Sequence, residues 1–309
     1  MGTSTEMGKA PYKPAPLVRG DRIAVVAPSG GVDEGRLAAG VEVLRARGFR
    51  VSGPVRRAPF RLFSGRDEER RAELLAAFDA PEVTAVWFAR GGYGMNRLLP
   101  KLDPARLSAR PKLCIGFSDA TALLQWLVHA GVHAVHGPMV AHDLVREDAS
   151  GGLDHLLAIA GGAVDWTVPV PIALAPGEVE GPLLGGCLAV LASLAGTPFE
   201  PRFAGRIALF EDTHERPQRK LDRMLIQLRQ AGMLDGVRGV VFGTMHECGP
   251  EEEIRETILD CLGDLGVPIG FGAPIGHGDS HLAVPLGVSV RLSAAPSGGR
   301  LVGLEPAVT

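Results

Sequence analysis

Aromatic residues are scarce in this chain of 309 residues: 3 Trp and 2 Tyr stand beside 11 Phe, 5% in all. Few flat rings are therefore on hand to stack against a nucleobase. Positive charge is not in excess either. The formal net charge is −3 and no basic run carries interleaved aromatics, so nothing electrostatic recruits nucleic acid or an anionic membrane. No apolar run reaches the roughly 20 residues of a membrane span. The first residues lack the charged-then-apolar pattern of a secretory leader, and a cytoplasmic protein is expected. Cysteines 114, 187, 248 and 261 form no C-x-x-C pair. They fit reduced, mostly buried thiols better than a disulfide framework or a zinc knuckle. A P-loop and a complete G-x-G-x-x-G fingerprint are both missing, so no nucleotide cofactor is expected. Internal repeats and low-complexity tracts are missing as well.

What is present is the balance of a globular protein, 46% hydrophobic and 22% charged, in a chain long enough for two domains. Residues 1–18, rich in Gly, Ser, Thr, Lys and Pro, read as a flexible arm. Residues 19–162 then alternate buried-strand and helix patterns. Apolar runs at 22–27, 83–88 and 113–115 are interleaved with helical spacing at 32–48, 67–78 and 121–131, and a short strand follows at 132–135. That alternation predicts parallel pairing with right-handed crossovers, an open parallel α/β sheet. Such sheets bind ligands outside the carboxyl ends of their strands. Three loops should therefore converge on one crevice: Pro28-Ser29-Gly30, Arg90 to Gly94, and Gly116 to Ala120. Over residues 163–182 the periodicity fades, which reads as a linker. Residues 183–309 read as a smaller, largely β second domain, with strands at 206–210, 239–242, 284–291 and 301–304. It also carries a small helix at 188–194 and a strongly amphipathic one at 217–230.

The most informative segment is Gly116-Phe117-Ser118-Asp119-Ala120. A serine at a strand-to-helix corner is pushed out of the sheet, and small residues two before and two after let the turn close, as in the G-x-S-x-G nucleophile elbow. The helix start then sets free N–H groups beside the hydroxyl, where an oxyanion would need donors. Ser118 or Asp119 could instead simply cap the helix. An activated serine needs a base and a group that orients the base. His277, bracketed by Gly276 and Gly278, offers the base, although it could be a plain surface-loop histidine. Glu211, at the carboxyl end of a strand, offers the orienting group, although it could instead be a cap or first-turn carboxylate of the following helix, a job that Asp212 or Glu215 could also do. Gly91-Gly92 supplies backbone able to approach a substrate closely. Metal chemistry is the weaker reading. His246 and Cys248 lack a second pair of ligands, and His277 with His281 lacks the glutamate of H-E-x-x-H.

In order along the chain, several blocks together resemble the LD-carboxypeptidase (muramoyltetrapeptide carboxypeptidase) family of serine peptidases. They are Gly20-Asp21-Arg22 through Ser29, Ala89-Arg90-Gly91-Gly92-Tyr93-Gly94, Ile115 through Asp119 and His136-Gly137-Pro138-Met139. Gly185-Gly186, Gly196-Thr197-Pro198, Phe210-Glu211-Asp212, Leu221 through Leu225 and Gly276-His277 continue the series. The resemblance covers residues 21–304. It implies an N-terminal α/β domain and a largely β C-terminal domain with the active site between them. Ser118 is implied as nucleophile, His277 as general base and acid, and Glu211 as orienting carboxylate. The N–H groups of Gly92 and Asp119 are implied as the oxyanion hole. It further implies a peptide or muropeptide substrate, no cofactor or metal, and a homodimer.

The expected reaction is hydrolysis of the bond between an L-centre diamino acid and terminal D-alanine in a cytoplasmic murein tetrapeptide. The same family includes peptidases similar to the microcin-C self-immunity proteins, which cleave an acyl bond to a modified nucleotide; that is the alternative. A non-catalytic peptide-binding module is a third reading, and a broken triad would mark it. Phe117 stands where the family often has Tyr, and Cys187 where Asn is usual. Thr213, His214 and Gln218 also depart from common choices.

Overall fold

A strand covered by helices on both faces must be apolar on both, and Arg22–Val26 (β1) and Val83–Phe88 (β3) are buried along nearly their whole length. A computed structural model describes residues 12–54, 58–146, 149–216 and 219–309. In the first half, β1 leads through helix α1 (Glu34–Ala46) to β2 (Arg50–Ser52), and α2 (Asp67–Asp79) leads to β3. Two short helices, α3 (Met95–Leu98) and α4 (Pro104–Ser108), precede β4 (Leu113–Gly116). Helix α5 (Thr121–His129), β5 (Ala134–His136) and α6 (Ala149–Ala160) close this half. The capping is local chemistry: the Asp33 and Asp103 side chains accept the N–H groups of Arg36 and Ala105 at the starts of α1 and α4.

β2, β1, β3, β4 and β5 lie side by side and parallel in that order. The chain winds outward from β1 to β2 and then returns to the other side of β1 for β3. The order therefore reverses between β1 and β3, and the loops that follow these two strands flank that reversal.

The second half supplies β6 (Thr167–Val170), β7 (Ile172–Ala175), β8 (Gly177–Cys187), α7 (Leu188–Leu194) and β9 (Ile207–Thr213). It continues with α8 (Arg219–Gln230), β10 (Gly239–His246), α9 (Glu251–Leu262), β11 (Ile269–Phe271), β12 (Val284–Leu286), β13 (Ser289–Ala294) and β14 (Gly299–Gly303). Its eight-stranded sheet runs β6-β14-β13-β8-β9-β10-β11-β7. Only the middle of this sheet, β8 to β11, is parallel; its flanks pair antiparallel. The protein is thus a mixed α/β fold of two sheets.

Three expectations need correction. Residues 12–18 are not a loose arm. Buried Leu17 donates its N–H to Ala160 O at 2.8 Å, Lys13 pairs with Glu305 at 3.0 Å, and Thr309 donates to Pro14 O at 3.0 Å. One apolar side chain with a niche to fill is enough to pin the segment; residues 1–11 lie outside the described residues.

The stretch expected as a linker, 163–182, carries β6, β7 and the exposed first half of β8. Pro169 and Pro171 and the half-exposed positions of these outer strands hide their period. The single run expected at 284–291 is two strands separated by Gly287, whose φ is +83°. The first of them, β12, leaves its own half and pairs antiparallel with β5 at the edge of the first sheet.

Candidate active site

The turn after β4 places Ser118 at φ +58°, a left-handed conformation that a residue with a Cβ rarely adopts. Two features hold it there. Phe117, 1% exposed, anchors the preceding position in the core. On the other side the buried Asp119 carboxylate accepts the Met95 N–H at 2.9 Å, lashing the serine turn to the loop after β3. Burial pushes the Asp119 carboxyl upward, against the Met95 N–H and the neighbouring Ser29 and Gly94 groups, which favour its charged form. The Asp119 side chain is therefore committed to scaffolding, while its N–H, on the second residue of a helical turn, has no intrahelical acceptor.

Gly91 lies directly against the serine. A Cβ at Gly91 would sit 2.8 Å from Ser118 Oγ, so any side chain there would strike the hydroxyl. The Gly91 carbonyl accepts the Gly30 N–H at 3.1 Å. In a trans peptide the N–H opposes the C=O, so the Gly92 N–H points away from Gly30. The φ of Gly92, +111°, is one that glycine adopts most readily.

Across from the serine, β9 carries Glu211 and the loop after β11 carries His277. Nδ1 of His277 lies 2.7 Å from Glu211 Oε2, and the His277 backbone N–H donates to the same oxygen at 3.0 Å. Gly276 makes this closeness possible: its φ is +101°, and a Cβ there would lie 2.2 Å from Glu211 Oε2. Glu211 is fully buried. Burial favours its neutral acid, yet the His277 and His136 imidazoles beside it hold the carboxyl well below its ordinary value of 4.5. Burial also works against the imidazolium of His277, but the Glu211 carboxylate outweighs it and raises that pKa above the ordinary 6.5. A neighbouring carboxylate acts on a histidine in just this direction.

Asp212 is engaged elsewhere. Its oxygens accept the Ala189 and Thr213 N–H groups at 2.8 Å each, and Cys187 Sγ lies 3.6 Å away. Burial and the adjacent Glu211 charge push Asp212 up to about 7. Glu215, the third acidic candidate, pairs with Lys220 at 3.1 Å.

Ser118, Gly91, Gly92 and His277 line one cleft of about 450 Å³ between the two sheets. Its wall also holds Thr213 and His214, two of the positions expected to depart from common family choices; Gln218, the third, lies outside the described residues. Among the described residues no hydrogen bond joins Ser118 Oγ to the His277 ring; such bonds commonly tighten only when substrate arrives. His281 is turned from His277 toward His136, its Nε2 lying 3.4 Å from His136 Nδ1. Among the described residues, the group whose donor atoms gather closely enough for a metal is Asp222, Asp260 and Cys261, in a different part of the fold.

Sequence reasoning gave no role to His136, although it marked the motif beginning there, and weighed His281 only as a metal ligand. Both sit in buried positions that no periodicity singles out.

A hydroxyl on a strained strand-to-helix turn, free N–H groups around it and a carboxylate-bound imidazole in the same cleft can carry out acyl transfer. They define a serine hydrolase class of site. The sequence relations agree. The family described as LD-carboxypeptidase N-terminal domain matches residues 23–137, and the LD-carboxypeptidase C-terminal domain matches residues 180–292. A putative carboxypeptidase of Streptomyces coelicolor is 42% identical over 294 residues, spanning 91% of this chain and 93% of its own. The crystal structure of muramoyltetrapeptide carboxypeptidase from Oxalobacter formigenes superposes with a TM-score of 0.84 at 32% identity, covering 92% of this chain and 99% of that one. MccF in complex with glutamyl sulfamoyl guanosine gives a TM-score of 0.88 at 23% identity over 97% of this chain and 100% of its own, a likeness of fold alone. The chain belongs to the LD-carboxypeptidase family and is a serine carboxypeptidase.

Proposed function

We propose that the protein removes the terminal D-alanine from murein tetrapeptides, using Ser118 as nucleophile, His277 as base and acid, and Glu211 as the orienting carboxylate. The observation that carries the reading is the 2.7 Å contact of His277 Nδ1 with Glu211 Oε2 in the wall of the cleft that Ser118 enters. With Nδ1–H bound by the carboxylate, the free electron pair of the ring is on Nε2. Nε2 takes the Ser118 proton as Oγ attacks the carbonyl carbon of the bond to D-alanine. The oxyanion is received by the N–H groups of Gly92 and Asp119. The intermediate collapses as Nε2–H returns the proton to the departing amine. A water, deprotonated by the same Nε2, then releases the acyl group from Ser118. Glu211 stays ionised throughout and supports the transient imidazolium.

A carboxypeptidase must also recognise a free carboxylate. The guanidinium groups of Arg90 and Arg146 line the same cleft and supply positive charge there. Arg146 is already bound to Asp279 at 2.8 Å, whereas Arg90 donates to the Gly31 carbonyl at 3.1 Å. Arg90 therefore is the better placed to meet a substrate carboxylate.

The second reading, cleavage of an aminoacyl or peptidyl nucleotide, needs a surface for the base. The rings of His214 and His246, 5.7 Å apart and edge-on in the cleft wall, are the groups that could offer one. Incubation with murein tetrapeptide and, separately, with an aminoacyl sulfamoyl nucleotide, followed by mass analysis, decides between them. Release of D-alanine from the tetrapeptide is expected; cleavage of the nucleotide alone would reject the murein reading.

A further inference from the structure

Behind the proposed triad lie two imidazoles that the reaction as written does not use. Both oxygens of Glu211 are buried, and Oε2 takes both bonds from His277. Among the described residues Oε1 has no hydrogen bond, and it faces His136 Nε2, itself buried and without one, at 3.6 Å. His136 Nδ1 in turn lies 3.4 Å from His281 Nε2. His136 closes β5 in the first sheet, Glu211 belongs to β9 in the second, and His281 sits in the loop that enters β12. The row therefore runs across the junction of the two halves.

Hydrogen-bond chemistry permits one consistent neutral assignment. An ionised carboxylate only accepts, so the group facing Oε1 must donate, and His136 carries its proton on Nε2. A neutral imidazole has one proton, which leaves His136 Nδ1 as an acceptor. The group facing Nδ1 must then donate, and His281 also carries its proton on Nε2. Closing 3.6 Å by a few tenths of an ångström satisfies at once two buried polar atoms that are costly to leave unpaired.

We infer that His136 and His281, each protonated on Nε2, form a buried hydrogen-bonded row that fixes Glu211 from behind, making His136 a positioning residue for the His277 base. The inference rests on the triad reading above. Its surroundings are consistent. The Phe117 ring packs against all three imidazoles, with centroids 4.7 Å from His277, 5.7 Å from His136 and 4.4 Å from His281, and offers no donor to compete for their nitrogens. The charged groups that face the row are Glu211, His277 and Asp143. Burial presses His281 down to about 3, so it stays neutral, while Asp143 and Glu211 oppose that shift. A polar cavity of about 50 Å³, lined in part by Asp143, Arg146 and His281, adjoins the end of the row and is roomy enough for water.

Two measurements test this. Nitrogen-15 NMR of the histidine-labelled wild-type protein at about pH 8 should show the ring proton of both His136 and His281 on Nε2. A cationic His136, or a proton on its Nδ1, overturns the inference. The rate at which Ser118 is acylated by a fluorophosphonate should fall about 10- to 100-fold in His136→Phe, by analogy with residues that orient a histidine ligand. His136→Gln, which keeps an N–H donor, should recover most of that loss, and KM for the peptide should change little in either variant. Wild-type labelling at Ser118 with a folded His136→Phe protein acylating at the same rate overturns the inference and leaves the triad standing. Failure of the wild type to be labelled at Ser118, or undiminished labelling of His277→Ala, overturns the triad and this inference with it.

Discussion

Replacing Glu211 by Gln removes one negative charge and almost no volume, which isolates its electrostatic and directional role. In the native site Oε2 accepts two bonds from His277, at 2.7 Å from Nδ1 and 3.0 Å from the backbone. A glutamine can keep these only if its carbonyl oxygen occupies the Oε2 position. If the amide nitrogen sits there instead, it donates to Nδ1, the ring proton moves to Nε2, and the ring can no longer accept the serine proton. Even with the favourable rotamer, the imidazolium formed during attack loses its counter-charge in a fully buried setting. The corresponding change in serine proteases costs about 10⁴ in kcat, equivalent to about 5 kcal/mol of barrier. Steady-state release of D-alanine from a murein tetrapeptide by Glu211→Gln should fall by that order, with KM nearly unchanged. The variant also has a pH signature. The Glu211 carboxyl lies below its ordinary value of 4.5, so its contribution to stability is present above that pH and lost as pH falls toward its folded pKa. Denaturant titrations should therefore show the stability difference between wild type and variant diminishing below about pH 4.5. Activity within tenfold of wild type in Glu211→Gln, together with an inactive Asp212→Asn, would refute the assignment of the orienting carboxylate.

Ser118→Ala should reduce kcat by on the order of 10⁶ while leaving the melting temperature close to that of wild type; near-normal turnover in the folded variant would remove the serine mechanism. Gly276→Ala should lose activity and about 1–3 kcal/mol of stability, because the new Cβ meets Glu211 Oε2 at a φ of +101°; an active and equally stable variant would contradict the packing described. The kcat/KM profile should rise with pH as His277 becomes neutral, with its midpoint above the ordinary 6.5; a midpoint below that value would deny the influence of Glu211. Activity should persist in EDTA, and a loss restored by zinc would point to a metal in the reaction.

The elements that frame the site were legible where apolar runs are unbroken. The strand 83–88 and the helix 188–194 coincide with β3 and α7, and the serine corner stood out because small residues bracket it. The edge strands β6 and β7 and the exposed start of β8 were read as a connection because they bury only part of each residue, and proline interrupts their alternation. Tertiary anchoring also escaped the reading: nothing local in residues 12–18 tells that Leu17 fills a niche beside Ala160. In the site, the strand-to-helix corner suggested Ser118 and the bracketing glycines His277, and the resemblance implied the same roles for them. The approach of His136 to Glu211 joins residues far apart in sequence on different sheets, so only the folded chain displays it.

The return of β12 to the first sheet bears on how the enzyme can move and how it can be divided. The segment holding His277 and His281 is tied at one end to β11 in the second sheet and at the other to β12 against β5 in the first. Any swing that opened the cleft widely would have to strip β12 from its neighbour, so His277 and Ser118 are clasped across the junction like two hands sharing one sleeve. A fragment ending near residue 162 would leave the backbone of β5 as an edge without its β12 partner, prone to pair with other chains. The two halves should accordingly melt in a single cooperative step and resist being expressed or exchanged as independent modules.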